Sequence, residues 1–232
     1  MGLEDNELQL TWLHSKAGAT RTDVGSAEIQ EGIGLLTLEA EVPYERVVSP
    51  GRSINGIGKI QLGARYPLYQ AVSANQMIDA TFGLAMEGEI PADSTVSRNG
   101  ELDPEVFNAL KLGEHFTIQT VLGYSTLLGG GDDGGAQTFE YGFSFACAIP
   151  HRELPLPGVE ELIPMAELSG ERGLNLDEAG RNSVLGDIGF RAQVKTMGEL
   201  HSSVGAAWVF PIDNGAREEL HWGFIISTIF DF

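Results

Sequence analysis

Residues 219–232 read ELHWGFIISTIFDF, and the fold is read outward from them. Every second position is apolar or nearly so: Leu220, Trp222, Phe224, Ile226, Thr228, Phe230 and Phe232. A period of two places those side chains on one face of a strand. Ends of soluble chains usually fray, whereas this pattern runs on to a final aromatic. A membrane-spanning strand needs roughly 9–11 residues, apolar toward lipid, with aromatics at the interfaces. The stretch fits that description.

The same alternation recurs upstream. Residues 7–14, 33–44, 57–66, 77–87, 116–126, 139–149, 162–171, 184–194 and 200–210 each set apolar positions against polar or charged ones. The 139–149 stretch is the clearest, with Phe139, Tyr141, Phe143, Phe145, Cys147 and Ile149 against Glu140, Gly142, Ser144, Ala146 and Ala148. Residues 15–32 read as a polar connection. Residues 88–115 break the rhythm, and Asp103-Pro104-Glu105 reads as a helix start, with Asp as N-cap and Pro at the first helical position. Gly129 to Gly135 and Met197-Gly198 read as turns. The expectation is an all-β, transmembrane, antiparallel up-and-down barrel of about ten strands (8–12), a single domain over 1–232, with one short helix in a connection.

Composition agrees with this class. A 232-residue chain can form one barrel. No apolar run is long enough for a transmembrane helix. A mean hydropathy of -0.04 is what outward apolar and inward polar residues give on averaging. The formal charge of -19 argues against a nucleic-acid partner. Acidic residues such as Glu45, Asp93, Glu101, Asp103, Asp132-Asp133, Asp177-Glu178 and Glu218-Glu219 fall in expected connections and read as solvated loops. Cys147 is the single cysteine, so neither an intrachain disulfide nor a cysteine zinc site is expected. Met1-Gly2-Leu3-Glu4-Asp5 lacks the basic and apolar regions of a signal peptide, so an exported protein with this sequence would be a mature form or a truncated frame.

If the rings face lipid, the opposite rows face a lumen. The lumen-lining candidates are Glu39, Glu41, Lys59, Arg65, Asp79, Glu87, Glu140, Glu167, Asp187, Arg191 and His221, with Glu171 and Asp231 on the same face and Ile225 and Ile229 as its apolar part. The lipid-facing candidates are Phe82, Phe143, Phe145, Phe190, Trp208, Trp222, Phe224, Phe230 and Phe232. Buried charges need partners, and the expected pairs are Asp79 with Arg65 or Lys59, and Asp187 with neighbours of Arg191. An acid-rich lumen favours cations or neutral solutes over anions. No catalytic set is expected: His14, His115, His151, His201 and His221 stand in no recognisable hydrolase or metalloprotease setting. No cofactor or metal ligand set is expected either. The glycines with Asp132-Asp133 lack the oxygens a calcium loop needs.

The segment 219–232 resembles the C-terminal strand of bacterial outer-membrane barrels, whose final Phe is part of the signal read by the insertion machinery. Gly56-Ile57-Gly58-Lys59-Ile60-Gln61-Leu62-Gly63-Ala64-Arg65-Tyr66 resembles the G-x-G-D-x-x-x-G-x-K/R-Y segment of the meta-pathway phenol-degradation (MetA-type) transporter-like family. Glu89-Ile90-Pro91-Ala92-Asp93 is similar to that family's hydrophobic-Pro-Thr-Gly element. Lys59 stands where the family has Asp, and Ala92-Asp93 where it has Thr-Gly. The resemblance implies an outer-membrane barrel for small, often aromatic or hydrophobic solutes, with lipid, the insertion machinery and solute as partners and no enzyme activity.

Two other expectations stand beside the channel: an outer-membrane barrel with a closed lumen, acting structurally or through its loops, and a soluble lipocalin-like ligand-binding barrel. The last requires apolar residues inside and polar ones outside. The terminal aromatic gives a direct test. Phe232→Ala is expected to lower the amount of folded protein in the outer membrane, and unchanged membrane levels would remove that residue's role.

Overall fold

The computed structural model describes residues 6–75, 77–129, 134–195 and 201–232. The segment at 1–5, the acidic pair Asp132-Asp133 and the turn at Met197-Gly198 lie outside the described residues. In chain order the strands are β1 (Glu7–Ala17), β2 (Thr20–Ile33), β3 (Leu36–Ser49), β4 (Arg52–Ile57), β5 (Lys59–Val72), β6 (Ile78–Pro91), β7 (Gly100–Leu112), β8 (Phe116–Leu128), β9 (Gln137–Cys147), β10 (Ile149–Pro150), β11 (Val159–Gly173), β12 (Asn182–Val194), β13 (His201–Pro211) and β14 (Trp222–Asp231). One short helix, α1 (Asn214–Glu219), lies between β13 and β14.

Among the described residues, twelve strands form a closed antiparallel ring. Neighbours in sequence pair as hairpins, and β14 returns to β1 with Glu7 opposite Asp231 and Lys16 opposite Trp222. The short strands β4 and β10 lie outside the ring as extensions, β4 on β3 and β10 on β11. In hydrocarbon an unpaired backbone group costs several kcal/mol, by order of magnitude, so a sheet there must have no edge. The ring has none.

The strand count corrects the expectation of about ten, and two segments account for the difference. Residues 15–32 are the end of β1, a turn at Gly18 and all of β2 but its last residue. Gly18 has φ 58, a conformation that glycine adopts without strain. The outward row of β2 includes Asp23, Gly25, Ala27 and Glu31, which hides its alternation. The expected helix after Asp103 is instead β7, paired with β6 and β8. Pro104 has no N–H to donate, and the β7–β8 ladder skips from Leu102↔Thr126 to Glu105↔Gly123 around it. The strand survives because β6 pairs its other edge, with Met86 opposite Pro104. With β7 in place, the long unstructured connection expected over 88–115 disappears.

Sidedness follows from the alternation. The buried hydrophobic residues are few (Ala85, Ala192, Ala216 and Ile229), whereas Ile188 is 57% exposed and Phe82 41%. This reverses the burial of a soluble protein and of a lipocalin-like barrel. On the outer face, Trp208 stacks on Trp222 with centroids 5.3 Å apart, and His14 lies between Trp12 and Trp222 at 5.8 and 5.3 Å. These rings lie toward the end away from the termini. Phe116 and Phe145 stack at 5.7 Å toward the terminal end. Aromatic groups therefore bracket an apolar band at both edges, as in a membrane girdle.

The end away from the termini carries the connections 50–51, 92–99, 129–136, 174–181 and 212–221. Two of them are anchored by polar side chains. Asp213 caps α1, accepting from the N–H groups of Ala216 at 2.9 Å and Val184 at 3.1 Å and from Asn182 Nδ2 at 2.9 Å. Arg181 Nη2 lies 2.9 Å from Glu219 and 3.3 Å from Glu218, and its Nη1 reaches Glu178 at 2.9 Å. Asn175 accepts from Gln137 N at 2.7 Å and donates to Gly135 O at 2.9 Å.

Two tests follow from this packing. A Cβ on Gly189 would stand 2.4 Å from the Ala206 carbonyl oxygen and 2.8 Å from Ala207 Cα, atoms of backbone that the ladder holds in place. Gly189→Val should cost about 1–3 kcal/mol, read as a lower temperature for the gel shift from folded to unfolded barrel. The N–H of Ala216, with Asn182, holds the Asp213 carboxyl below the usual carboxylate range. Its contribution is present above the unfolded pKa and lost as pH falls through the folded one. Amide protection at Ala216 and Val184 should persist at mildly acidic pH and fade below the usual Asp range, while Asp213→Ala should lack it throughout.

Candidate functional site

The inward rows make an acidic lumen. β3 contributes Glu39 and Glu41, β5 Lys59 and Arg65, and β6 Asp79, Glu87 and Glu89. β7 adds Glu101, Asp103 and Glu105, β9 Glu140, β11 Glu167 and Glu171, and β12 Asp187 and Arg191. An Arg or Lys at the lipid-facing midplane costs roughly 2–4 kcal/mol and acids somewhat less, so register is fixed by keeping these groups inside.

Glycines make room for the acids. A Cβ on Gly63 would stand 2.3 Å from Glu39 Oε1 and 2.5 Å from its Cγ, so the Glu39 side chain lies across that glycine. Glu45 lies across Gly58 and Asp93 across Gly56 in the same way. All three glycines of the 56–66 segment therefore each carry a carboxylate over them. Asp93, from the second resemblance segment, is one of these, so the two segments touch.

Within the lumen, two bases hold the ion-paired acids among the described residues. Lys59 Nζ lies 2.5 Å from Glu89 and also bonds Glu101, which Ser125 holds from its other oxygen. Arg65 Nη2 lies 3.2 Å from Glu39 and 3.4 Å from Glu87, and Gln61 donates to Glu87. The pairs thus differ from those expected. Asp79 faces Val72 and Lys111 across its ladders, and Asp187 stands opposite Glu167. Lys59 and Arg65 reach instead to diagonal positions on β3 and β6, and Lys59 also across β6 to Glu101 on β7. The oxygens of Glu101, Asp103 and Glu140 lie within 4.8 Å of one another. Asp103 is 8% exposed and its Oδ1 has no hydrogen-bond partner.

A cavity of about 670 Å³ occupies the lumen, with Gln30, Arg65, Glu87, Glu105, Phe107, Gln119, Glu167 and Asp187 in its wall. A second, of about 300 Å³, has Glu140, Glu171 and Ser183 in its wall and shares Glu105, Val121 and Ser169 with the first. His221 is exposed in the turn before β14, where its N–H bonds the Lys16 carbonyl at 2.7 Å. Phe82, Phe143, Phe145, Phe190, Trp208 and Phe232 are exposed, while Trp222, Phe224 and Phe230 are half-buried on the alternating outer row of β14. Sequence reasoning missed Glu28, Glu89, Glu101, Asp103 and Glu105. For the last three the signal was present: Glu101, Asp103 and Glu105 alternate with Leu102, Pro104 and Val106.

No family model and no curated protein matches the sequence. Solved structures do match. The outer membrane channel from Pseudomonas putida F1 has TM-score 0.67 and 14% identity, over 100% of this chain and 97% of that one. The NanC porin has TM-score 0.58 and 8% identity, over 97% and 98%. The β domain of the Bordetella autotransporter BrkA has TM-score 0.56 and 12% identity, over 100% and 99%. The chain therefore has the closed-barrel fold of bacterial outer-membrane channels and porins.

Proposed function

We propose that the chain is an outer-membrane channel for passive passage of small solutes, with cations and neutral molecules preferred over anions. The observation that carries this reading is the cavity of about 670 Å³ inside a closed ring, walled by Glu87, Glu105, Glu167 and Asp187 with Arg65 as the facing base. An acidic wall lowers the energy of a cation in a narrow path and raises that of an anion. The apolar outer band with aromatics at both edges supports a bilayer partner, and the terminal strand supports delivery by the insertion machinery. The end carrying the termini then faces the periplasm. Phe107, Val121 and Pro67 add apolar surface between the acids of the wall, which leaves room for the small hydrophobic or aromatic solutes implied by the 56–66 resemblance as well as for polar ones.

A closed barrel acting structurally is the second reading, favoured by the ion pairs of Lys59 and Arg65 that tie adjacent strands together. Planar-bilayer recording separates the two. The channel reading expects discrete single-channel currents and a reversal potential of cation-selective sign under a KCl gradient. Glu105→Gln combined with Asp187→Asn should move that potential toward zero. Absence of current at all voltages would overturn the channel, and an unmoved reversal potential would overturn the selectivity role.

A further inference from the structure

We propose that Glu101, Asp103 and Glu140 form a binding site for a hard divalent cation, Ca²⁺ by its chemistry, in the half of the lumen away from the termini. The site rests on the barrel and not on solute passage, so it stands whether the lumen conducts or is closed.

The three carboxylates come from β7 and β9, which are not neighbours. β8 lies between them, and its inward row carries Ser125, which donates to Glu101, and Gly123, opposite both Glu105 and Glu140. A Cβ there would stand 3.4 Å from Glu140 Cβ and 3.4 Å from Glu105 Cγ. A larger side chain there would press on Glu140 and on its neighbour Glu105. The three ligand oxygens lie within 4.8 Å of one another.

Like charges so close repel unless a proton or a cation lies between them. Asp103 is 8% exposed with Oδ1 unpartnered. A buried carboxylate oxygen without a donor is costly unless a proton or a cation reaches it. The nearby bases are already engaged: Lys59 with Glu89 and Glu101, Arg65 with Glu39 and Glu87. Lys59 and Ser125 instead hold Glu101 in position from its two oxygens, leaving further lone pairs free. Around Pro104 the β7–β8 ladder is open, so Asp103 is not drawn into strand pairing on that side.

Carboxylate oxygens alone, without His or Cys, select a hard ion. Oxygens on opposite sides of Ca²⁺ stand about 4.6–5.2 Å apart, twice its usual 2.3–2.6 Å bond, which accommodates the observed spread. Mg²⁺ demands a near-ideal octahedron at roughly 2.0–2.1 Å and suits three acids from a wide wall less well. Water in the adjoining cavity would complete the Ca²⁺ shell.

The test uses full-length barrel refolded in a zwitterionic detergent free of lipopolysaccharide, titrated with CaCl₂ by calorimetry after EDTA treatment. Saturable uptake of one Ca²⁺ per barrel is expected, with a rise in unfolding temperature. Asp103→Asn and Glu140→Gln should each weaken binding by at least roughly tenfold, the loss that removal of even an outer partner brings. In EDTA, Asp103→Asn should unfold no lower than the parent, because it removes an unpaired buried charge. Should it fail to fold, Glu140→Gln alone decides. Glu160→Gln, an exposed acid outside the lumen, should bind as the parent does. No saturable uptake, or uptake unchanged in Glu140→Gln, overturns the site.

Discussion

Ring closure is the constraint on which the molecule depends. β14 pairs with β13 on one side and β1 on the other, so the stretch that opens the sequence reading is also the one that leaves the sheet without an edge. In a bilayer every backbone N–H and C=O must be met within the protein. Closure removes the sheet edges and forces each strand to divide its residues between lipid and lumen. The apolar outside and acidic inside are two results of that single division.

Placing so many acids inside a barrel of this width creates a second problem, that of volume and charge together. The molecule meets the first part in the 56–66 segment with glycines that leave space for a carboxylate, as Gly63 does for Glu39 and Gly58 for Glu45. It meets the second in part with two bases, each shared between two acids. The glycine pattern of the 56–66 segment thereby acquires a physical meaning. It records where side chains lie across a neighbouring backbone, not where the chain turns.

Much of this was legible in the sequence. Strands with strict alternation, such as β9 and β14, announced both their structure and their sidedness. β2 was hidden because Gly25 and Ala27 occupy outward positions, where small residues give no hydropathy signal. β7 was hidden by Asp103-Pro104-Glu105, whose local chemistry favours a helix start; pairing with β6 and β8 overrode it. Losing β7 also lost Glu101, Asp103 and Glu105, and with them the densest part of the site. Which base meets which acid was not legible, since lateral pairing depends on register across strands far apart in the chain.

The polar anchors at the end away from the termini have a mechanical result. Asn175 fastens the 174–181 connection to the entry of β9, and Arg181 fastens the same connection to α1. Gly135, the 174–181 connection and α1 are thus joined by one run of polar contacts. Displacing the 174–181 connection therefore disturbs the entry of β9 and the α1 turn together.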